Sequence, residues 1–193
     1  MNTPSHLIMT AALKKAWGVP REWSAVLWGS VAPDIPLYLL TFGTLGWMHW
    51  KLGWSGEQTA RLMFGQLYFH NPWWIAAHNL LHAPILLLAG LAATRLLRPR
   101  APRTAHWLFW FFAACLLHSV VDVLTHYDDG PLVFFPFDWT FRVHSPVSYW
   151  DPAHHGREFA RAEMAFDLVL LLYLAAGPLA RRFTRRGKRD PVT

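Results

Sequence analysis

The sequence predicts an all-α, multi-pass transmembrane helix bundle with about four spans, a broken first helix and short interfacial helices. Hydrophobic residues make up 53% of the 193 residues and charged ones only 16%, well short of the quarter usual in soluble domains. The apolar residues fall into separate runs bounded by polar or basic stretches. The 12 Trp and 13 Phe suit a chain whose amphipathic rings sit at lipid–water boundaries. The length fits a single domain, residues 1–193.

Met1–Trp17 reads as a short helix, opened by Thr3-Pro4 and stopped by Gly18. Lys14 and Lys15 close this segment, which lacks the basic start and unbroken apolar core of a cleavable signal peptide. Residues 23–47 form the first span. Pro33-Asp34-Ile35-Pro36 interrupts it, because each proline removes a backbone donor and crowds the turn before it. A break at membrane depth is tolerated only where it is buried in protein or lines a polar cavity. Asp34 beside the break is therefore either a functional ionisable group or a cap for the second half-helix.

Residues 48–77 are mixed and Trp-rich, an interfacial stretch with a short helix near Gln58–Tyr68. The second span, 78–97, opens with His78-Asn79-Leu80-Leu81-His82 and leads into a basic loop of Arg95, Arg98, Arg100 and Arg103. The third is 104–125. A polar connection, Tyr127–Glu163, holds His144, His154, His155 and Glu158. The fourth span is 165–181, and a basic tail, 181–193, ends the chain. Thirteen of the eighteen Lys and Arg residues then fall on one side. The positive-inside rule puts both termini in the cytoplasm, and a bacterial inner (cytoplasmic) membrane is the expected location. The net charge of +6 belongs to these flanks and to anionic lipid, and does not argue for nucleic acid.

The chemistry gathers in Leu116–His126. His118, Asp122 and His126 are spaced i, i+4 and i+8, so a helix projects all three from one face. Two imidazoles and a carboxylate on an oily helix are costly to bury without compensation. A divalent metal ion, zinc above all, supplies it, since neutral imidazole and carboxylate oxygen are both good ligands. The competing reading is a polar seam hydrogen-bonded to neighbouring helices. In the four-span topology Asp34, His78, His82, His118, Asp122 and His126 can meet in the outer half of the bundle, as sites built from facing helices do. His78 and His82 have ligand spacing but no Glu between them, so they are no zincin motif. His154 and Glu158 form another i, i+4 pair. His49, His70 and His106 sit beside Trp or Asn-Pro and read as interface residues. Cys115 reads as a packed small hydrophobe. A serine or cysteine nucleophile is not expected, because no glycine elbow surrounds Ser119 or Cys115.

Several motifs resemble the membrane-bound metal-dependent hydrolase family (YdjM-like). They are Ser5-His6-Leu7, Trp28-Gly29-Ser30-Val31-Ala32-Pro33-Asp34-Ile35, His78–His82 and Leu117-His118-Ser119-Val120-Val121-Asp122-Val123-Leu124-Thr125. They span most of the chain in the family's order. In place of that family's His-Arg-Gly-x-Thr-His, this chain has His78-Asn79-Leu80-Leu81-His82. The ligand order is also similar to that of zinc-dependent phospholipase C. The resemblance implies His6, Asp34, His78 or His82, His118 and Asp122 as ligands, with His154 and Glu158 as late additions. The topology, by contrast, leaves His6 on the cytoplasmic side.

The leading expectation is a metal-dependent hydrolase in which a zinc-activated water attacks an ester or phosphoester. Asp34 and Asp122 are its candidate catalytic carboxylates, and a lipid or lipid-linked small molecule is the expected substrate. The alternative is a non-catalytic membrane protein with a structural metal site or an ion or proton pathway. A relay would spread its polar groups through the depth of the bundle, whereas a metal centre gathers them at one level.

Overall fold

The computed structural model describes residues 1–18 and 22–186, with the side chains of 177–186 excepted. The described residues are helical with no strand; a single antiparallel bridge pairs Leu132 with Arg142. The helices are α1 (Thr3–Ala16), α2 (Trp23–Val31), α3 (Ile35–Leu52), α4 (Gly56–Leu62), α5 (Tyr68–His70), α6 (Pro72–Asn79), α7 (Pro84–Leu97), α8 (Pro102–Thr125) and α9 (Gly156–Arg186). A π-helical turn, Met63–Leu67, joins α4 to α5.

Local sequence explains the ends. Proline stands in the first turn of α1, α3, α6, α7 and α8, where its missing N–H has no intrahelical partner to lose. Ser55 and Gln58 form a reciprocal capping box on α4, and the Asn71 side chain accepts from the Trp73 and Trp74 amides at the start of α6. Gly53, at φ 66°, closes α3 in the left-handed conformation.

α8 is the axis of the bundle, with α2 and α7 packed along it. Small residues permit the approach. A Cβ added to Gly29 would lie 2.7 Å from the Ala114 Cβ, and one at Gly90 would press on the Phe112 ring at 2.9 Å. α1 lies between α2 and α9. It runs parallel to α9, because Asn2 bonds Glu163 at one end while Lys15 Nζ reaches the Leu174 carbonyl at the other. It runs antiparallel to α2, since Lys14 Nζ stands over the Trp23 ring while Thr3 reaches Asp34.

The connection between α8 and α9 folds back over the end of α8. Ser145 Oγ donates to the Leu124 carbonyl, and the Ser145 and Tyr149 amides donate to the His126 and Thr125 carbonyls. The carbonyls that a helix C-terminus leaves open are satisfied in this way. The Leu132 amide donates to Asn79 Oδ1 at 2.7 Å, and Leu132 and Phe135 pack with Ile75 and Ala83. This pins the connection to the bend between α6 and α7.

The expected spans map onto these elements with differences. Among the described residues α8 alone is long and apolar enough to cross a membrane by itself. The first expected span, 23–47, is α2 and α3, bent by 47° at the Pro33–Asp34 break, and 78–97 belongs to α6 and α7, bent by 45°. Counting each bent pair as one span gives three. The expected 165–181 span lies inside α9, which begins nearer the connection than expected and continues to Arg186. The tail residues 187–193 fall outside the described residues.

Replacing Gly29 tests the α2–α8 approach. Gly29→Ala is expected to lower the thermal midpoint, an overpacking cost of about 1–3 kcal/mol. Gly43→Ala in α3, where the added Cβ meets nothing, is expected to leave the midpoint unchanged or raise it through helix propensity.

Candidate metal centre

Four side chains from three different segments converge where these helices end or bend. Asp34 sits in the turn between α2 and α3, His82 in the turn between α6 and α7, and His118 and Asp122 one helical turn apart on α8. One ligand atom from each lies within 4.8 Å of all the others, and the group could hold a metal ion.

Hydrogen bonds on the far side of each ring fix which nitrogen faces the cluster. His82 Nδ1 donates to the His78 carbonyl at 3.1 Å, and His118 Nδ1 donates to the Ser30 carbonyl at 2.8 Å. A carbonyl only accepts, so each Nδ1 carries the proton, and in the neutral ring Nε2 holds a lone pair. The two Nε2 atoms stand 3.1 Å apart. Asp34 Oδ1 lies 3.5 and 3.4 Å from them, and Asp122 Oδ2 3.3 and 3.0 Å. Four acceptors thus face one another in a buried space without a neutral donor among them. Cationic charge among them, from a metal ion or from a proton on one imidazole, is what makes the arrangement tenable. Outer hydrogen bonds of this kind are what orient metal-ligating histidines and set their tautomer, so the donor set fits zinc.

The remaining lone pairs are occupied. Asp122 Oδ1 accepts from His6 Nε2 at 2.8 Å and from the Met1 amino group at 3.0 Å. Asp34 Oδ2 accepts from the Thr3 hydroxyl. The Ser119 hydroxyl donates to the His82 carbonyl, which holds the α6–α7 turn against α8 and leaves Ser119 no nucleophilic role. The Asp34 side chain is 17% exposed against 6% for Asp122, so the cluster is most open on the Asp34 side.

Other candidate ligands lie outside this group. His6 is fully buried and reaches the site because α1 begins level with Asp122. It stacks on the His118 ring at 3.7 Å and 16° and serves Asp122 as a donor. Burial pulls its pKa below the ordinary histidine value, and its Nδ1 has no partner.

His78 and His82 do not share a helix, because α6 ends at Asn79. His78 Nε2 bonds the Tyr68 hydroxyl at 3.0 Å. Since that hydroxyl donates its own proton to the Asp129 carbonyl at 2.6 Å, His78 is the donor of the pair. Burial pushes the Tyr68 phenol upward. His126 is the extended residue after α8. Its Nδ1 donates to the Asp122 carbonyl at 2.9 Å and stands 3.8 Å from the carboxylate, so the α8 stripe ends at Asp122. His154 and Glu158 are separated by His155, whose φ of 62° breaks the helix between them. His154 bonds Asp151 at 2.7 Å and stacks on Tyr127, and Glu158 is exposed.

Sequence reading missed Thr3, Tyr38, Tyr68 and the Ser30 carbonyl. Thr3 and Tyr68 stand at no ligand-like spacing from a cluster residue, Tyr38 follows Asp34 by four residues but is not a zinc-ligand type, and a backbone carbonyl carries no residue-type signal at all.

Comparison with known proteins agrees with this geometry. No curated protein and no solved structure matches the chain significantly. The model of the zinc-dependent phospholipase C family matches residues 5–192, which takes in all four cluster residues together with His6. A match over nearly the whole length, joined to a His/Asp cluster able to hold zinc, makes this chain a member of the zinc-dependent phospholipase C family.

Proposed function

We propose that this protein is a membrane-embedded, zinc-dependent hydrolase that cleaves an ester or phosphoester of a lipid or lipid-linked substrate. One observation carries the reading: two Nε2 lone pairs and two carboxylates converge on a common point with no neutral donor between them. Asp34, His82, His118 and Asp122 are the proposed ligands. Family membership supports metal-dependent hydrolysis, and the motifs shared with the YdjM-like hydrolases support a membrane setting.

When bound, zinc supplies Lewis acidity that polarises the scissile bond and lowers the pKa of its water to roughly 7. The protein's part is positioning and charge. The His78 and Ser30 carbonyls keep both imidazoles aimed inward, and Asp122, buried and held by His6, adds negative charge beside them. Asp34, the more open carboxylate, stands where a substrate approaches, and through Oδ1 it would hold the metal beside the attacking water. The ionisable groups gather at one level, whereas a proton or ion pathway would string them through the depth of the bundle.

Location supports the substrate class. With α8 across the bilayer, its 24 residues span about 36 Å. His118 and Asp122 then lie about 5–10 Å below the end of that helix, at 1.5 Å per residue. Centred on a hydrocarbon core about 30 Å thick, the helix puts them just inside its boundary, next to the layer of lipid ester groups. Exposed aromatics crowd the neighbouring segments, including Trp50 at 83% and Phe137 at 82%, as expected of an interfacial belt.

Protein purified in detergent is expected to carry zinc by elemental analysis. His118→Ala and Asp122→Ala should lose it, while His78→Ala and His154→Ala should keep it. In a phosphodiester-lipid hydrolysis assay, a chelator is expected to abolish activity and added zinc to restore it. Asp34→Asn should lower kcat/KM by more than the roughly 10- to 100-fold typical of outer hydrogen-bond partners. Full activity in metal-stripped protein would refute the proposal.

A further inference from the structure

Thr3 and Tyr38 lie on the open side of the cluster, and neither resembles a ligand. The Thr3 hydroxyl bonds Asp34 Oδ2, and the Tyr38 hydroxyl lies 2.8 Å from the same Thr3 oxygen. The proton directions follow from elementary chemistry. A carboxylate can only accept, so the single Thr3 proton goes to Asp34. The Thr3 oxygen must then accept from Tyr38, which is the donor of that pair. The chain of donation is Tyr38 to Thr3 to Asp34.

The arrangement selects one oxygen of Asp34. Oδ2 is held by Thr3, while Oδ1 faces His82 Nε2 and His118 Nε2 at 3.5 and 3.4 Å. Asp34 sits in a turn between two helices bent by 47°. Its side chain therefore lacks the support a helix interior gives Asp122. Thr3 is the first residue of α1 and Tyr38 lies in the opening turn of α3. Their bond ties the two helices together across the break. Tyr38 is steadied in turn by stacking on Phe42, one turn along α3, at 6.2 Å and 17°.

We infer that Thr3 and Tyr38 are positioning residues that clamp Asp34 so that one oxygen alone is presented to the metal, with Tyr38 acting through Thr3. This rests on the metal-site reading above. The clamp raises the metal affinity of the protein and has no direct contact with the ion. Because the two hydroxyls act in series, removing the first link makes the second irrelevant.

The test is a double-mutant cycle in the full-length protein, reading zinc affinity by competition with a chromophoric chelator. Cobalt absorption serves as a signature of ligand geometry. Thr3→Val is expected to weaken zinc binding by about 10- to 100-fold, the range for outer hydrogen-bond partners, and to alter the cobalt spectrum. Thr3→Ser, which keeps the hydroxyl, should restore most of it. Tyr38→Phe should give a smaller loss, and the double variant should bind no more weakly than Thr3→Val alone. Should Thr3→Val also lower the thermal midpoint of the metal-free protein, Tyr38→Phe and Thr3→Ser carry the test. Wild-type affinity in Thr3→Val, or losses that add in the double variant, would overturn the clamp alone. Failure of the wild-type protein to bind zinc would overturn the metal reading and the clamp with it.

Discussion

Two backbone carbonyls decide the character of this protein. By accepting the Nδ1 protons of His82 and His118, they turn both Nε2 lone pairs toward Asp34 and Asp122. Desolvating two carboxylates costs several kcal/mol each, and facing them with further acceptors makes the burial worse unless a cation balances it. The surrounding fold holds that unfavourable arrangement in place. α8 supplies two of the four groups from one face, and the Gly29 and Gly90 approaches bring the neighbouring helices close enough to supply the rest.

The other two groups depend on interruptions of helix. Asp34 and His82 both sit in turns where a proline-rich sequence bends one helix into the next. A turn places a short side chain closer to a shared point than a continuous helix passing alongside α8 would. The bends leave backbone groups to satisfy, and named partners do so. Ser119 holds the carbonyl of His82, Asn79 joins the α6–α7 turn to the Leu132 amide, and the long connection caps the carbonyls at the end of α8. Every such partner lies within a few residues of a cluster member or on the segment that covers it.

Much of this was legible in the sequence because it rests on periodicity and on proline. The i, i+4 spacing of His118 and Asp122 survives folding, since both lie within an unbroken helix. The stripe fails at His126 only because α8 ends one residue earlier. Pro33 and Pro36 announced the break that carries Asp34. The pair reading of His78 and His82 failed for a related reason: α6 stops between them, and each ring takes its own partner. His154 and Glu158 were separated by a single left-handed residue, His155, which no propensity marks. His6 presented the opposite difficulty. Counting spans from residue 23 left α1 outside the bundle, whereas its polar residues bury it against α2 and α9. Thr3 and Tyr38 were beyond reach because their link depends on two helices meeting across a bend.

The seam between α1 and α9 has a bearing on how the molecule is built. Asn2 and Ser5 find their partners, Glu163 and Asp167, more than 160 residues away in sequence. Those two groups of α1 are therefore answered only once α9 has been made, whereas Thr3 and His6 meet Asp34 and Asp122 on segments made earlier. Contacts of such long range close last and slowly. The seam thus fastens α1 over a cluster whose four members, between residues 34 and 122, are already in the chain when α9 appears.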